Sequence, residues 1–264
     1  MAFKEKVLKI VSQIPAGKFL SYKKVALLAG KERASRAVGQ ILAKNKISQI
    51  PCHRVIKSNG ELGGYFGKKE LSWKKAALLL KEGAIGVLPT DTIYGICCTV
   101  FKRESVEKLY KLKKREKKKP MILLISSPND LKIFKIKIKK WQKEILNLIL
   151  PFRVSFILSC KSKKFHYLHR GKNCLAFRIP KNKILLKILS ISGPLLAPSA
   201  NWENFPPATS ISEARKYFKD KVFYLNGGKI LGSPSTLIDL REKKIKVIRK
   251  GRDFSKIAKL FEKE

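Results

Sequence analysis

Residues 84–96 read AIGVLPTDTIYGI. The run AIGVLP is short, apolar and bounded by glycine and proline, which predicts a buried strand rather than a helix. A polar turn follows at once. It sets Thr90, Asp91, Thr92 and Tyr94 at the C-terminal end of that strand, where open α/β sheets collect ligands. Downstream, helical and strand patterns alternate. ESVEKLYKLKKR (104–115) carries Val106, Leu109 and Tyr110 on one helical face, and MILLIS (121–126) reads as a buried strand. WQKEILNLIL is helical, VSFILSC and LAFRIP are strands, KILLKILSI is helical, and PLLAPSAN is a strand entering a loop. SISEARKYF opens with the capping box Ser210–Glu213, and TLIDL and IKVIRKG close the pattern as strands. The expectation is an α/β layer structure on a twisted mixed sheet.

Upstream the pattern changes. FKEKVLKIVSQI (3–14) has a helical apolar period. Ser21 can cap a helix from Tyr22 to Ala29, with Gly30 as its stop, and ASRAVGQILAK (34–44) predicts another. Two short helices, a tight turn and the hairpin signal of SNGELGGY together predict a small winged-helix domain. The expected division is residues 1–71 and 72–264, with an amphipathic helix at 72–83 available to both parts.

The 264 residues contain 44% hydrophobic side chains, enough for a real core. No apolar run is long enough to span a membrane and the N-terminus has no signal-like core, so a soluble cytoplasmic protein is expected. Lys+Arg 59 against Asp+Glu 19 gives a net charge of +40, which attracts polyanions without identifying one. Tandem Ile/Lys patterns such as KIFKIKIKKW are equally consistent with compositional drift. The five cysteines form no CxxC pair, so neither a zinc site nor a disulfide framework is expected. Cys97, Cys98, Cys160 and Cys174 sit in apolar runs and read as small core residues.

Cys52 stands apart, because PCHRV sets a thiol beside His53 and Arg54, groups able to lower a thiol pKa. On these residues alone, one exposed cysteine beside one structural histidine is the commoner reading. The wider pattern IPAGKFLSYKKVALLAG, ASRAVGQILAKN, IPCHRVI, GELGGY and KKAALLLKEG resembles the DNA-binding and catalytic domain of alkylguanine-DNA alkyltransferases over residues 3–83. The resemblance implies Cys52 as alkyl acceptor, His53 as a proton relay through water and Glu82 as its orienting carboxylate. It implies double-stranded DNA as a partner, with Arg36 filling the space of a flipped nucleotide, Tyr22 and Asn45 contacting it, and Tyr65 in the base pocket. Extrusion of the base is what such chemistry requires.

The second constellation is spread along the chain. KKREKKKP places Lys113 and Arg115 two apart before a buried strand, and APSAN places Ser199 and Asn201 two apart at the end of another. Alone, a charge run is as often a solvated face, and a Ser or Asn as often satisfies a turn. Together with PTDTIYGI, LPFRVSFIL, LAFRIP, SPSTLIDL and VIRKG, these segments resemble the YrdC-like threonylcarbamoyl-AMP synthase family over residues 72–252. The resemblance implies a YrdC-like fold and formation of threonylcarbamoyl-AMP and pyrophosphate from ATP, L-threonine and bicarbonate, for tRNA modification. Mg²⁺ is expected on the ATP phosphates, and the tRNA threonylcarbamoyl-transfer machinery is the implied recipient. Lys113, Arg115, Ser199 and Asn201 carry over from its KxR and SxN signatures. Thr90, Thr92, Tyr94, Ser155, Arg178 and Arg249 carry over as ATP or threonine contacts. The family's PGPxT segment reads PFRVS here, leaving Arg153 as a candidate phosphate contact, and Glu203-Asn204 replaces the family's SG. The rival from another class is a module that binds tRNA, double-stranded RNA or alkylated DNA without catalysis.

Overall fold

The computed structural model describes residues 1–62, 72–150 and 152–261. The N-terminal part contains α1 (Phe3–Ser12), β1 (Leu20–Ser21), α2 (Tyr22–Leu28), α3 (Ser35–Lys44) and β2 (Val55–Ile56), with β2 parallel to β1. The Ser21 hydroxyl accepts the Lys24 N–H at 3.0 Å and starts α2, and Gly30 ends it at φ +86°. Val7, Val11, Val25, Ala26, Val38, Leu42 and Val55 close a small core between the three helices.

Then follow α4 (Ser72–Lys81), β3 (Gly86–Pro89), β4 (Tyr94–Thr99), α5 (Arg103–Leu112), β5 (Ile122–Leu124), α6 (Lys140–Ile149), β6 (Val154–Ser159), α7 (His166–His169), β7 (Cys174–Arg178), α8 (Lys183–Ser192), β8 (Leu195–Leu196), α9 (Ile211–Phe218), β9 (Phe223–Tyr224), β10 (Thr236–Asp239), β11 (Lys246–Arg249) and α10 (Phe254–Phe261). Among the described residues, nine strands form one mixed sheet in the order β11-β10-β6-β7-β5-β8-β4-β3-β9. Period-two alternation divides its faces. On β7, Leu175 and Phe177 enter the large core, whereas Cys174, Ala176 and Arg178 face a cavity on the other side. No helix among the described residues is long and apolar enough to cross a membrane.

The expected polar turn at Thr90–Ile93 is the bend of a hairpin. β4 runs antiparallel to β3, with Val87 opposite Ile96, and then pairs with β8. Helix α7 and strand β9 are too short to carry a periodic signal, whereas α10 is amphipathic and the sequence reading passed over it.

The expected hairpin forms at its turn, and the remainder of the expected wing lies outside the described residues. The Asn59-Gly60 turn forms, with the Gly60 N–H on Lys57 O at 2.9 Å and the Lys57 N–H on Glu61 O at 3.0 Å. The chain then leaves its own domain. Tyr224 N–H donates to Gly60 O at 2.9 Å and Leu62 N–H to Tyr224 O at 3.1 Å, so Glu61 and Leu62 extend the β9 edge of the large sheet. Arg215 adds an ion pair to Glu61 at 3.0 Å. Gly60 has φ +77°, and a Cβ there would meet the Tyr224 ring at 3.0 Å, so this crossing requires glycine. Gly63, Gly64 and Tyr65 lie outside the described residues.

Helix α4 packs its Ala76, Ala77, Leu79 and Leu80 face into a cluster with Leu185, Ile188 and Leu189 of α8 and with Leu88 and Cys97 of the sheet. Lys75 and Glu82, seven residues apart and thus on one side, face the Cys52 turn instead. Leu79 is fully buried, so Leu79→Ala should cost about 3 kcal/mol through the lost methyls and the cavity left behind. Because α4 contacts both parts, calorimetry should show one unfolding transition displaced as a unit, not one moving while another stays.

Candidate functional sites

A cavity of about 460 Å³ opens over the sheet face that carries Ile157, Ala176, Ile122, Leu124 and Leu237. That is within the range of small-ligand sites, and its floor is apolar. Its rim is cationic: Lys113, Arg115, Lys172, Arg178, Arg241 and Arg249 line it, and among the described residues no Asp or Glu does.

The PTDT turn is built from its own hydroxyls. Thr90 Oγ1 donates to Ile93 O at 2.6 Å and accepts the Thr92 N–H at 3.1 Å. Arg178 locks the turn from β7: its Nη1–H donates to Thr92 Oγ1 at 2.7 Å and its Nη2–H to Asp91 Oδ1 at 2.7 Å. The Arg178 Nε–H is buried without a hydrogen-bond acceptor among the described residues.

Lys113 is 2% exposed, and its ammonium donates to Ser199 O at 2.8 Å, Asn201 O at 3.0 Å and Asn201 Oδ1 at 2.8 Å. Burial, with the like charge of Arg115, pulls Lys113 down to about 7, while Glu203 opposes the shift. The three oxygen acceptors favour the charged form, as a fully donating ammonium requires. Ser199 Oγ donates to Asn201 Oδ1 at 2.7 Å, so the KxR and SxN segments meet through one nitrogen. Arg115 lies on the wall with Nε on Lys119 O at 3.2 Å and Nη2 on Pro120 O at 3.1 Å. Arg249 grips Ser235 O at 3.0 Å, and burial, with Arg178 beside it, pulls its pKa below the ordinary value.

Three expected contacts are placed differently. Tyr94 is fully buried; its hydroxyl accepts the Gly227 N–H at 2.9 Å and donates to Gly228 O at 2.7 Å, which buckles β4 to the loop before β10. Ser155 is covered by Ser235, with 2.7 Å between their hydroxyls, and it is Ser235 that reaches the wall. Arg153 is off the wall as well: its Nε–H donates to Asp91 O at 2.9 Å and its backbone N–H to Asp253 at 2.8 Å, tying the PTDT turn to the start of α10. Cys97, Cys98 and Cys160 are buried as expected, but Cys174 is half-buried on the cavity wall. The alternation of Cys174, Ala176 and Arg178 was the signal for that.

The second site lies where α4 meets the small domain. Cys52 begins a single 3₁₀ turn, and Asn45 Nδ2–H donates to its sulfur at 3.3 Å. Glu82 bridges its neighbours: Oε1 is 2.8 Å from His53 Nε2, and Arg54 donates Nε–H to Oε2 at 2.8 Å and Nη2–H to Oε1 at 2.7 Å. The expected lowering of the thiol pKa is corrected. Burial raises it, with Asn45 and Lys75 opposing. Lys75, which the sequence reading missed, is buried beside the thiol, donates to Val55 O, sits 5.6 Å above the Tyr22 ring, and is pulled by burial to about 7. Only its seven-residue spacing from Glu82 could have flagged it. Arg36 is exposed in the first turn of α3, and Tyr65 lies outside the described residues. No group of three or more metal-ligating side chains occurs among the described residues.

These features define an α/β protein with a cation-lined cavity, joined to a small helical domain like the DNA-binding domain of alkylguanine alkyltransferases. The chain belongs to the Sua5/YciO/YrdC family, whose profile, described as "Telomere recombination", matches residues 78–251. The profile of the 6-O-methylguanine DNA methyltransferase DNA-binding domain matches residues 2–84. A putative threonylcarbamoyl-AMP synthase of Methanocaldococcus jannaschii is 31% identical over 210 residues, covering 79% of this chain and 94% of that protein. The threonylcarbamoyl-AMP synthase of Pyrococcus abyssi is 28% identical over 63% of this chain, and the chain spans 50% of that longer protein. The crystal structure of Pyrococcus abyssi Sua5 complexed with L-threonine superposes with a TM-score of 0.65 at 28% identity, over 70% of this chain and 55% of that one. The methylated-DNA–protein-cysteine methyltransferase of Kluyveromyces lactis is 45% identical over 84 residues, 31% of this chain and 43% of that protein.

Burial opposes ionisation of Glu82, but the hydrogen bonds and charges of His53 and Arg54 win and hold it at about 2, against an ordinary 4.5. A depressed carboxyl stabilises the fold above its ordinary pKa, and that contribution is lost as pH falls toward the folded value. Denaturant titrations should therefore show stability falling between pH 4.5 and 2 more steeply for the native chain than for Glu82→Gln.

Proposed function

We propose that the part of the chain from α4 onward condenses ATP, L-threonine and bicarbonate into threonylcarbamoyl-AMP and pyrophosphate. The observation that carries this reading is the convergence of Lys113, Arg115, Arg178 and Arg249 with Thr92 and Ser199 around one cavity. The threonine nitrogen attacks the carbonyl carbon of bicarbonate and expels water, giving a carbamate. A carbamate oxygen then attacks the α-phosphorus, the bond to the β-phosphate oxygen breaks, and pyrophosphate leaves. No protein nucleophile is needed, so the work is charge neutralisation, orientation and exclusion of water. The arginines serve the charge that gathers on the departing pyrophosphate. Thr92, held by Arg178, and Ser199, held through Lys113, orient threonine. Mg²⁺ arrives as part of the substrate, on the ATP phosphates. The adenylate then passes to the tRNA threonylcarbamoyl-transfer machinery in the cytoplasm.

For the small domain we propose alkyl transfer from alkylguanine in double-stranded DNA to Cys52. The thiol proton passes toward His53, whose imidazole Glu82 holds; the sulfur–carbon bond forms as the carbon–O6 bond breaks, and the guanine recovers a proton. Arg36, exposed on α3, suits the vacated stack, and Asn45 and Tyr22 flank the acceptor. The excess positive charge favours encounter with DNA and with tRNA.

Pyrophosphate release should require all three substrates. Arg115→Ala or Lys113→Ala should lower it about 10²-fold or more, the scale of losing one preorganised charge donor, while the Cys52 peptide still gains mass after exposure to alkylated DNA. Cys52→Ser should give the reverse pattern. Nucleic-acid binding with neither chemistry would identify a binding module instead.

A further inference from the structure

The segment Lys113–Lys119, KKREKKK, sets six cations against one acid, Glu116. Such a run repels itself, yet it must deliver Arg115 to the cavity in one orientation. Trp202 and Glu203, which follow the SxN pair, meet five of its seven residues. Glu203 N–H donates to Lys113 O at 2.9 Å, and the Glu203 carboxylate accepts the Glu116 N–H at 2.8 Å. The same carboxylate lies 3.5 Å from Arg115 Nη1 and 3.5 Å from Lys119 Nζ. Lys114 Nζ lies 3.7 Å from the centre of the Trp202 ring. Both loops adopt a left-handed backbone at non-glycine residues, Lys114 at φ 51° and Asn204 at φ 66°, which costs energy and persists only where neighbours enforce it.

We propose that Glu203 is a positioning residue for the nucleotide site, holding the guanidinium of Arg115 in the phosphate-binding pose. Arg115 lines the cavity and Glu203 does not, so Glu203 acts through the arginine. Lys119 O and Pro120 O hold the Nε and Nη2 sides of the guanidinium, and Glu203 supplies the only carboxylate beside the third nitrogen among the described residues. Without it, Arg115 keeps two neutral acceptors while five neighbouring cations push on it. Local charge balance in this strongly basic segment explains why an acid serves at this position.

This inference rests on the reading of the cavity as an ATP site, and titration calorimetry with ATP alone separates the two. The native chain should bind ATP; no binding would overturn the nucleotide site and the inference with it. Given native binding, Glu203→Gln should raise the ATP Kd about tenfold, the scale of a lost charge-assisted contact. KM for threonine should stay within about twofold to threefold of native, whereas kcat/KM for ATP should fall along with ATP binding, because Arg115 meets the phosphates both before and as pyrophosphate departs. Arg115→Gln combined with Glu203→Gln should bind no more weakly than Arg115→Gln by itself, the signature of one coupled unit. Glu203→Asp, which keeps the charge, should bind ATP more tightly than Glu203→Gln, and that comparison stands even if one variant is less stable. Unchanged ATP binding in Glu203→Gln, additive losses in the double variant, or an equal loss for threonine would overturn the proposal.

Discussion

A cation with almost no solvent contact must find oxygen on every side, and Lys113 finds it on one loop only. Its three acceptors all belong to Ser199 and Asn201, 86 and 88 residues further along the chain. Leaving that ammonium unpaired would cost several kcal/mol, so the KxR and SxN segments are bound to each other as a condition of folding. One side of the cavity follows from this tie. Another part of the wall follows from Arg178, whose two donors fasten the PTDT turn to β7. The cavity is thus framed by two buried cations, and the apolar strands between them form its floor.

The attachment of the small domain obeys a related economy. One helix, α4, shows aliphatic residues to the sheet and α8, and two charged residues to the Cys52 turn. A separate helix for each domain would have needed a linker; here Glu82 ends the helix, and eight residues later the chain reaches Thr90. A second join, the Glu61–Leu62 extension of β9, covers what would otherwise be an open sheet edge. That edge continues into the loop that clasps Tyr94 and returns through Pro234 and Ser235 to the cavity wall. Both joins therefore connect the Cys52 region to elements that lead to the cavity wall.

Much of this was legible in the residues because it rests on local signals. The helices α1 to α6, α8 and α9 follow from apolar period and caps, and the convergence of KxR and SxN on one cavity from the family resemblance, though not their direct pairing through Lys113. What escaped was decided by tertiary partners. Tyr94 looks like a ligand contact because a hydroxyl beside a polar turn is ambiguous until its acceptor, Gly228, is seen. Arg153 looks like a phosphate contact until Asp91 and Asp253 claim it. The thiol of Cys52 sits in a basic sequence, yet desolvation outweighs its neighbours' charge. The pairing of Glu61 and Leu62 with β9 crosses the domain boundary, which no local pattern encodes.

The central claim is that these framed groups act on a carbamate and a triphosphate together. Supplying carbon-labelled bicarbonate with ATP and L-threonine, and reading the nucleotide product by mass spectrometry, tests it most directly. The account predicts an adenylate with the mass of threonylcarbamoyl-AMP that carries the label. A product mixture containing only ADP, or AMP without label, would contradict it.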